Sequence, residues 1–217
     1  MFEIISSGGW LMLPIILCSI IAIAIIAERF YALQTKKIVT PKLADSVWQL
    51  VQKGDISLAR IETVRRTSPL GEVLASGLTN LNQPREVMKE SLEETGRRVT
   101  AELQRFLNTL GTIAQITPLL GLLGTVTGMI TVFTVITSAG VGDPADLAGG
   151  ISQALITTAA GLTVAIPSLI FLRYFRGKVD QLVINMEEEA LKLVDYVHSP
   201  RPQAAVKRAR SQAAQQV

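Results

Sequence analysis

The stretch that decides the fold is residues 106–137, FLNTLGTIAQITPLLGLLGTVTGMITVFTVIT. None of its 32 residues is charged. About 20 mainly apolar residues are enough for a helix that crosses a lipid bilayer. This stretch therefore predicts a membrane-spanning helix that is long enough to protrude from the membrane.

Two further uncharged runs predict two more spans. Residues 10–27 and 147–172 are mainly apolar and contain no Asp, Glu, Lys or Arg. Because Glu28 and Arg29 follow the first run without a convincing cleavage site, we interpret that run as an uncleaved span rather than a signal peptide. The overall composition agrees, since 18% of the residues are charged, against about 25% in soluble domains. We expect an all-α membrane protein with three transmembrane helices.

The basic residues predict the orientation of the chain. All 21 Lys and Arg residues lie between Arg29 and Arg105 or between Arg173 and Arg210. Basic residues accumulate on the cytoplasmic side of membrane proteins, so the N-terminus and the loop between the second and third spans should face outward. The expected segments are an outer N-terminus at 1–9, transmembrane helices at 10–27, 106–137 and 147–172, a cytoplasmic helical region at 28–105, an outer loop at 138–146, a cytoplasmic helix at 173–198 and a disordered tail at 199–217.

Capping residues predict where the cytoplasmic helices begin. Thr40 and Ser68 each precede a proline, and a capping hydroxyl before a proline is typical of a helix start. We expect a helix to follow each of them. A further helix over 56–66 is expected to be capped by Asp55.

A longer helix is predicted to begin near Arg85 and to run into the second span without interruption. Apolar residues recur along it at helical spacing and form one stripe: Met88, Leu92, Val99 and Leu103. The third span is expected to continue into the cytoplasm in the same way. Because such a stripe must be buried and the chain is short, we expect another copy of the chain to cover it.

The second and third spans are rich in small and hydroxyl-bearing residues. Small residues allow helix backbones to approach closely, and hydroxyl groups hydrogen-bond between helices in membranes. Prolines remove a helix donor and allow bends. We interpret the following as helix-packing residues: Gly121, Gly124, Gly128, Gly161, Pro118 and Pro167.

The hydroxyl groups of these spans also fit a polar path. A Thr hydroxyl can donate to a carboxylate and accept from a carboxylic acid. Neither span contains an ionisable residue, whereas proton relays in membranes generally use Asp, Glu or His. If the chain belongs to a proton machine, the titrating group must therefore come from another subunit.

Catalytic and metal-binding chemistry is not indicated by the sequence. The chain has one Cys and one His, too few for a disulfide framework or a His-based zinc cluster. No Ser/His/Asp or Cys/His set can be assembled from it. We expect no enzyme activity, no cofactor, no metal site and no nucleic-acid partner.

Two runs resemble motifs of the ExbB/TolQ/MotA proton-channel family. Residues 118–128, PLLGLLGTVTG, are similar to its second-span motif, and residues 150–167, GISQALITTAAGLTVAIP, to its third-span motif. The opening GGW at 8–10 also fits, and the resemblance extends over about residues 1–198. The size and the three spans resemble ExbB or TolQ, whereas MotA-type flagellar stators have four spans.

The resemblance implies a homopentameric ring in the bacterial inner membrane, with a periplasmic N-terminus, a cytoplasmic C-terminus and lipid around it. The ring would enclose single-span helices of an ExbD-like subunit, which would supply an essential membrane Asp. Proton flow would drive motion of one component within the other, and a TonB-like protein would pass the work to outer-membrane transporters.

The resemblance also assigns candidate pore residues. By motif position, the family's pore threonines correspond to Thr125 and Thr158, and we place Gln153 and Thr157 in the same proton path. Many family members have Glu at the position of Gln153, so a charged role does not carry over to this residue. Either Gln153 orders the helix by hydrogen bonding, or the role of this position is dispensable.

Two other functions are compatible with the sequence. A TolQ-like subunit of the envelope-maintenance Tol system would use the same physics with another partner. A passive membrane scaffold, in which the hydroxyl groups only pack helices, is an alternative of a different class.

Overall fold

The structure is a computed structural model that describes residues 8–40, 43–53, 56–140 and 144–198. Within these ranges every regular element is a helix and no strand occurs, which confirms the expected all-α class for this part of the chain. The helices are α1 (Met12–Ala32), α2 (Thr35–Ile38), α3 (Leu43–Lys53), α4 (Leu58–Thr67), α5 (Pro69–Thr79), α6 (Arg85–Leu103), α7 (Leu107–Ala139) and α8 (Pro144–His198). Three of them, α1, α7 and α8 from Leu147 onward, are long and apolar enough to cross a membrane.

The chain divides into two compact units. The first unit comprises the chain up to Tyr31 together with Arg105–Gly177. It therefore holds α7, α1 up to Tyr31 and α8 up to Gly177. The second unit comprises Ala32–Gln104 together with the chain from Lys178 onward. As expected from the sequence, α8 continues as one helix beyond its apolar part.

In the first unit, α7 buries one face and exposes the other. The buried positions recur at helical spacing: Leu107, Leu110, Ile113, Thr117, Gly121, Gly124, Gly128 and Val132. Large apolar side chains are exposed on the rest of the helix: Leu119, Leu122, Val126, Ile130 and Phe133. An apolar surface of this extent is typical of contact with lipid or with another apolar surface.

The expected uninterrupted helix from Arg85 into the second span is wrong. Helix α6 ends at Leu103, and α7 begins at Leu107. Between them Phe106 adopts a left-handed backbone with φ 62°. A non-glycine residue in this region costs on the order of 1–2 kcal/mol. The apolar spacing continues across the break, so the spacing by itself did not reveal it.

Side-chain contacts accompany this backbone break. The Arg29 guanidinium lies 5.6 Å from the centre of the Phe106 ring, and the Arg105 guanidinium lies 4.6 Å from it. Arginines within about 6 Å of an aromatic ring are attracted by its quadrupole. Two such contacts offset part of the cost of the left-handed backbone.

The predicted helix starts in the second unit are found in part. Ser68 Oγ accepts a hydrogen bond from the Gly71 amide at 3.1 Å, and Pro69 follows in the first turn of α5. Helix α4 is capped by Ser57, whose Oγ accepts from the Arg60 amide at 3.4 Å. Asp55, which was expected to cap this helix, lies outside the described residues, as do Pro41, 1–7, 141–143 and the tail 199–217.

The apolar stripe of α6 is buried within a single chain. Met88, Leu92, Val99 and Leu103 are each at most 7% exposed. A Cβ added to Gly77 of α5 would lie 3.0–3.2 Å from the side chains of Leu193, Leu92 and Met88, so this glycine lets the helices approach closely. The expectation that another copy of the chain covers the stripe is therefore wrong, because the stripe is already buried within one chain, with Met88 and Leu92 beside Gly77 of α5 and Leu193 of α8.

Candidate functional site

The glycines of α7 bring its backbone against α8. A Cβ added to Gly121 would lie 3.0 Å from Thr158 Cα, and one added to Gly124 would lie 2.6 Å from Thr157 Cβ. Further along the helix, a Cβ on Gly128 would lie 2.9 Å from Ala154 Cβ. Larger residues would push these helices apart. Thr157 and Thr158 of α8 therefore lie directly opposite α7.

Three other predicted packing residues lie along the same helix pair. A Cβ added to Gly161 of α8 would lie 3.2 Å from Gly121 Cα. Pro118 and Pro167 lie inside α7 and α8, and both helices continue through them. Ser168, which follows Pro167, is buried and its hydroxyl donates to the Val164 carbonyl at 2.7 Å.

Thr125 and Thr158, the candidate pore residues, are half-buried in the single chain. Thr158 Oγ1 donates across the helix pair to the Gly121 carbonyl at 2.9 Å. Thr125 Oγ1 donates to the Leu122 carbonyl of its own helix at 2.6 Å. The two hydroxyl groups thus donate to the carbonyls of two consecutive α7 residues, Leu122 and Gly121. The lone pairs of both Oγ1 atoms stay available to accept a hydrogen bond.

Gln153 and Thr157 face a different part of the chain. Thr157 is buried, and its single hydroxyl proton is shared between the Gly8 carbonyl at 2.9 Å and the Gln153 carbonyl at 2.8 Å. The Gln153 amide lies against Gly9. The four candidate residues therefore form two pairs with different surroundings, whereas the sequence had placed them in one path.

No ionisable side chain lies along α7, and none occurs in the described part of α8 before Arg173 apart from Asp146 near its start. Among the described residues no group of three or more His, Cys, Asp or Glu could hold a metal ion. The paired segments, α7 and residues 147–172 of α8, can therefore offer hydroxyl and backbone groups to a proton-carrying group, but they contain no such group of their own.

A cluster of charged and aromatic side chains near the C-terminal end of α1 was not predicted from the sequence. Arg29 is 5% exposed, and its Nε and Nη2 donate to the two Glu28 carboxylate oxygens at 2.5 and 2.6 Å. Next to it, the Phe30 ring packs against the rings of Phe171 and Phe175 with centroids 5.5 and 5.0 Å apart. The Glu-Arg pair after an apolar run was the only signal in the sequence, and it did not indicate that the arginine is buried.

The fold and the site together define a helical protein with three helices that are long and apolar enough to cross a membrane. The second and third candidate spans pack closely and present hydroxyl groups without titratable ones. Comparison with known proteins makes this class specific. The profile of the MotA/TolQ/ExbB proton channel family matches residues 65–188. The chain belongs to this family.

Curated proteins that are similar to this chain include biopolymer transport proteins and a Tol-Pal system protein. The chain is 36% identical over 174 residues to the biopolymer transport protein ExbB-like 1 of Synechocystis, a match that covers 76% of this chain and 66% of that protein. It is 32% identical over 186 residues to the biopolymer transport protein exbB1 of Vibrio cholerae, covering 82% and 80% of the two chains. A shorter match, 35% identical over 86 residues and covering 40% of this chain and 37% of the relative, is to the Tol-Pal system protein TolQ of Pseudomonas aeruginosa.

Proposed function

We propose that this chain is the ring subunit of an ExbB-like motor in the bacterial inner membrane, driven by the proton-motive force. The observation that carries the proposal is the pair of half-buried hydroxyls, Thr125 and Thr158, in two segments, α7 and residues 147–172 of α8, that contain no ionisable groups. A proton channel built on such helices needs a titrating group from a partner. Family membership and the biopolymer transport relatives support the same function.

The assembly that we propose is a homopentamer around an ExbD-like single-span subunit that supplies a membrane Asp. The N-terminus faces the periplasm and the C-terminus the cytoplasm, in agreement with the placement of Lys and Arg. A TonB-like protein transmits the work to the outer membrane. One elementary charge that crosses 100 mV releases about 2.3 kcal/mol, so a few protons suffice to break several weak contacts.

The geometry of the two threonines supports a role in proton release. When a partner carboxyl group enters the ring it loses water, which raises its pKa and favours the neutral acid. The free lone pairs of Thr125 and Thr158 can accept the hydrogen bond of that acid. To stabilise the ionised form, a hydroxyl must turn from its backbone carbonyl to the carboxylate. A membrane hydrogen bond averages only about 0.6 kcal/mol, so this exchange costs little.

The proposal is tested by changing each threonine to valine and to serine. Val keeps the shape but removes the hydroxyl, so Thr125→Val and Thr158→Val should abolish proton-driven transport while the complex still assembles. Ser keeps the hydroxyl and should largely preserve transport. Transport is measured per assembled complex, and Thr163→Val serves as the control because this exposed hydroxyl of α8 also donates to its own helix.

A passive scaffold predicts the opposite order. If the hydroxyls only pack helices, Val fills the space and stays active, whereas Ser leaves a small cavity. Active Val variants would refute the proton-path role.

A TolQ-like role is the second candidate, because TolQ of Pseudomonas aeruginosa is among the relatives. Complementation separates the two roles. An ExbB-like chain restores TonB-dependent uptake to a strain that lacks its own ExbB, whereas a TolQ-like chain restores envelope integrity to a strain that lacks TolQ.

A further inference from the structure

The turn that precedes α1 is fitted closely onto α8. The Gly8 carbonyl accepts the Thr157 hydroxyl at 2.9 Å, although 149 positions separate the two residues in the sequence. Gly9 has φ +70°, and a Cβ added to it would overlap the side-chain amide of Gln153. Gly8 and Leu11 are buried. We term the residues Gly8–Leu11 the N-terminal turn.

The N-terminal turn also forms one wall of a small polar cleft. The cleft has a volume of about 100 Å³. Gly124, Thr127 and Thr131 of α7 and Gln153 of α8 also line it. Since one water occupies about 30 Å³ in the liquid, the cleft has room for about three. Hydroxyl, amide and backbone groups provide the two to four polar partners that a buried water needs.

We propose that the N-terminal turn closes a water-holding cleft within each subunit, and that Gln153 and Thr157 are positioning residues that hold it closed. The inference goes beyond the proposed function, because it concerns access to the cleft and can be read without any transport measurement. It assigns Thr157 a task that differs from that of Thr158. Its hydroxyl proton is buried between two backbone carbonyls, so it is engaged in holding the turn.

Gly9 is the residue that permits this closure. Any other L-residue there would be strained by the positive φ. Its side chain would also have to displace the Gln153 amide from the turn. Gly140 provides a matched comparison, because it has φ +76° but no atom within 4 Å of an added Cβ. Alanine is strained by the positive φ at both positions, but only alanine at position 9 disturbs the contact with Gln153.

The test measures how fast a cysteine in the cleft reacts with an impermeant hydrophilic thiol reagent. Thr127→Cys is introduced into the full chain after Cys18→Ala, because Thr127 is half-buried and lines the cleft. In right-side-out membrane vesicles, Gly9→Ala should raise the labelling rate several-fold by opening the cleft. Gly140→Ala should leave the labelling rate unchanged.

A second pair of variants leaves the backbone of the turn unaltered. Thr157→Val removes the hydrogen bond to Gly8 but keeps the side-chain shape, and should also raise the labelling rate. Thr157→Ser keeps the donor and should leave the rate near that of the parent. If Gly9→Ala fails to fold, the Val and Ser pair decides the question.

The outcomes separate this inference from the proposed orientation and function. Equal labelling rates in the parent, Gly9→Ala and Thr157→Val chains would overturn the closure. If both variants are labelled faster only in inside-out vesicles, the closure is supported and the outward orientation of the N-terminus is overturned. Loss of transport in the Thr125 variants has no bearing on the labelling rates, so the two proposals fail independently.

Discussion

Individual hydroxyl groups show how residues of one type differ in what they can do. Thr157 and Thr158 are neighbours in the sequence, yet the Thr157 hydroxyl is buried between two carbonyls. The Thr158 hydroxyl donates to the Gly121 carbonyl of α7, and its lone pairs can still accept a hydrogen bond. A helix turns by about 100° per residue, so adjacent side chains meet different surroundings. Only the residue with accessible lone pairs suits contact with a mobile carboxyl group.

Gln153 provides a first prediction at the residue scale. A neutral amide cannot titrate. Gln153→Leu should therefore reduce transport only by weakening hydrogen bonds and the contact between residue 153 and Gly9. A lost membrane hydrogen bond averages about 0.6 kcal/mol, and we therefore expect a partial defect in transport per assembled complex. Complete inactivation of an intact complex would show that Gln153 has a direct part in proton transfer.

Phe106 provides a second prediction, in which the sign of a stability difference tests the backbone. In a regular helix Ala is more stable than Gly by about 1 kcal/mol. At a positive φ the order reverses, because Ala is strained there and Gly is not. Since φ of Phe106 is 62°, Phe106→Gly should unfold at a higher temperature than Phe106→Ala in detergent.

Both variants remove the ring and its contacts with Arg29 and Arg105, so these losses cancel in the comparison. A higher unfolding temperature for Phe106→Ala would mean that α6 and α7 form a continuous helix. The native phenylalanine should be more stable than the alanine variant, because it alone keeps the two cation–π contacts.

At the scale of elements, the pairing of α7 with α8 depends on residues without side chains. Gly124 leaves room for Thr157, and Gly128 leaves room for Ala154. Close backbone approach strengthens van der Waals packing, which is a main source of helix association in membranes. The same approach brings the Thr158 hydroxyl within 2.9 Å of the Gly121 carbonyl.

Gly124→Ala tests this pairing. The added Cβ would lie 2.6 Å from Thr157 Cβ, so α7 and α8 must separate, and we expect a lower unfolding temperature and weaker transport. Overpacking of this kind typically costs about 1–3 kcal/mol. The control is Gly149→Ala in α8, where an added Cβ meets no atom within 4 Å. It should be neutral or slightly stabilising, and a loss of stability as large as that of Gly124→Ala would contradict this explanation.

The apolar stripe of α6 is buried by other helices of the same chain. Its buried residues Met88 and Leu92 lie beside Gly77 of α5 and Leu193 of α8 in the second unit. Burial of this stripe therefore does not require a ring, which two other features support. The apolar side chains that remain exposed on α7 are one of them, and family membership is the other.

For the whole molecule, the distribution of charge predicts which segments lie inside the cell. The only cysteine is Cys18, so Cys18→Ala provides a background for single probes. In intact spheroplasts an impermeant thiol reagent should label Ser138→Cys and should not label Ser57→Cys, because basic residues flank Ser57 and none lies near Ser138. Labelling of both positions after permeabilisation is the control. Labelling of position 57 but not of position 138 in intact spheroplasts would reverse the proposed orientation.

The sequence alone determined the features that depend on local composition. Uncharged runs predicted the three long helices, and Ser68-Pro69 predicted the start of α5. The two glycine- and threonine-rich motifs identified the family. These features depend on length, on the absence of charge and on neighbours within a few positions, all of which can be read directly from the order of residues.

The tertiary structure decided which surfaces meet. It placed Thr157 and Gln153 against the N-terminal turn, covered the α6 stripe within one chain, buried Arg29 and interrupted the helix at Phe106. These features depend on contacts between residues far apart in the sequence, and a periodic pattern shows that a face is buried without showing what buries it. A left-handed phenylalanine opposes its own local preference, and Arg29 lies within reach of its ring only because the fold brings α1 to that position.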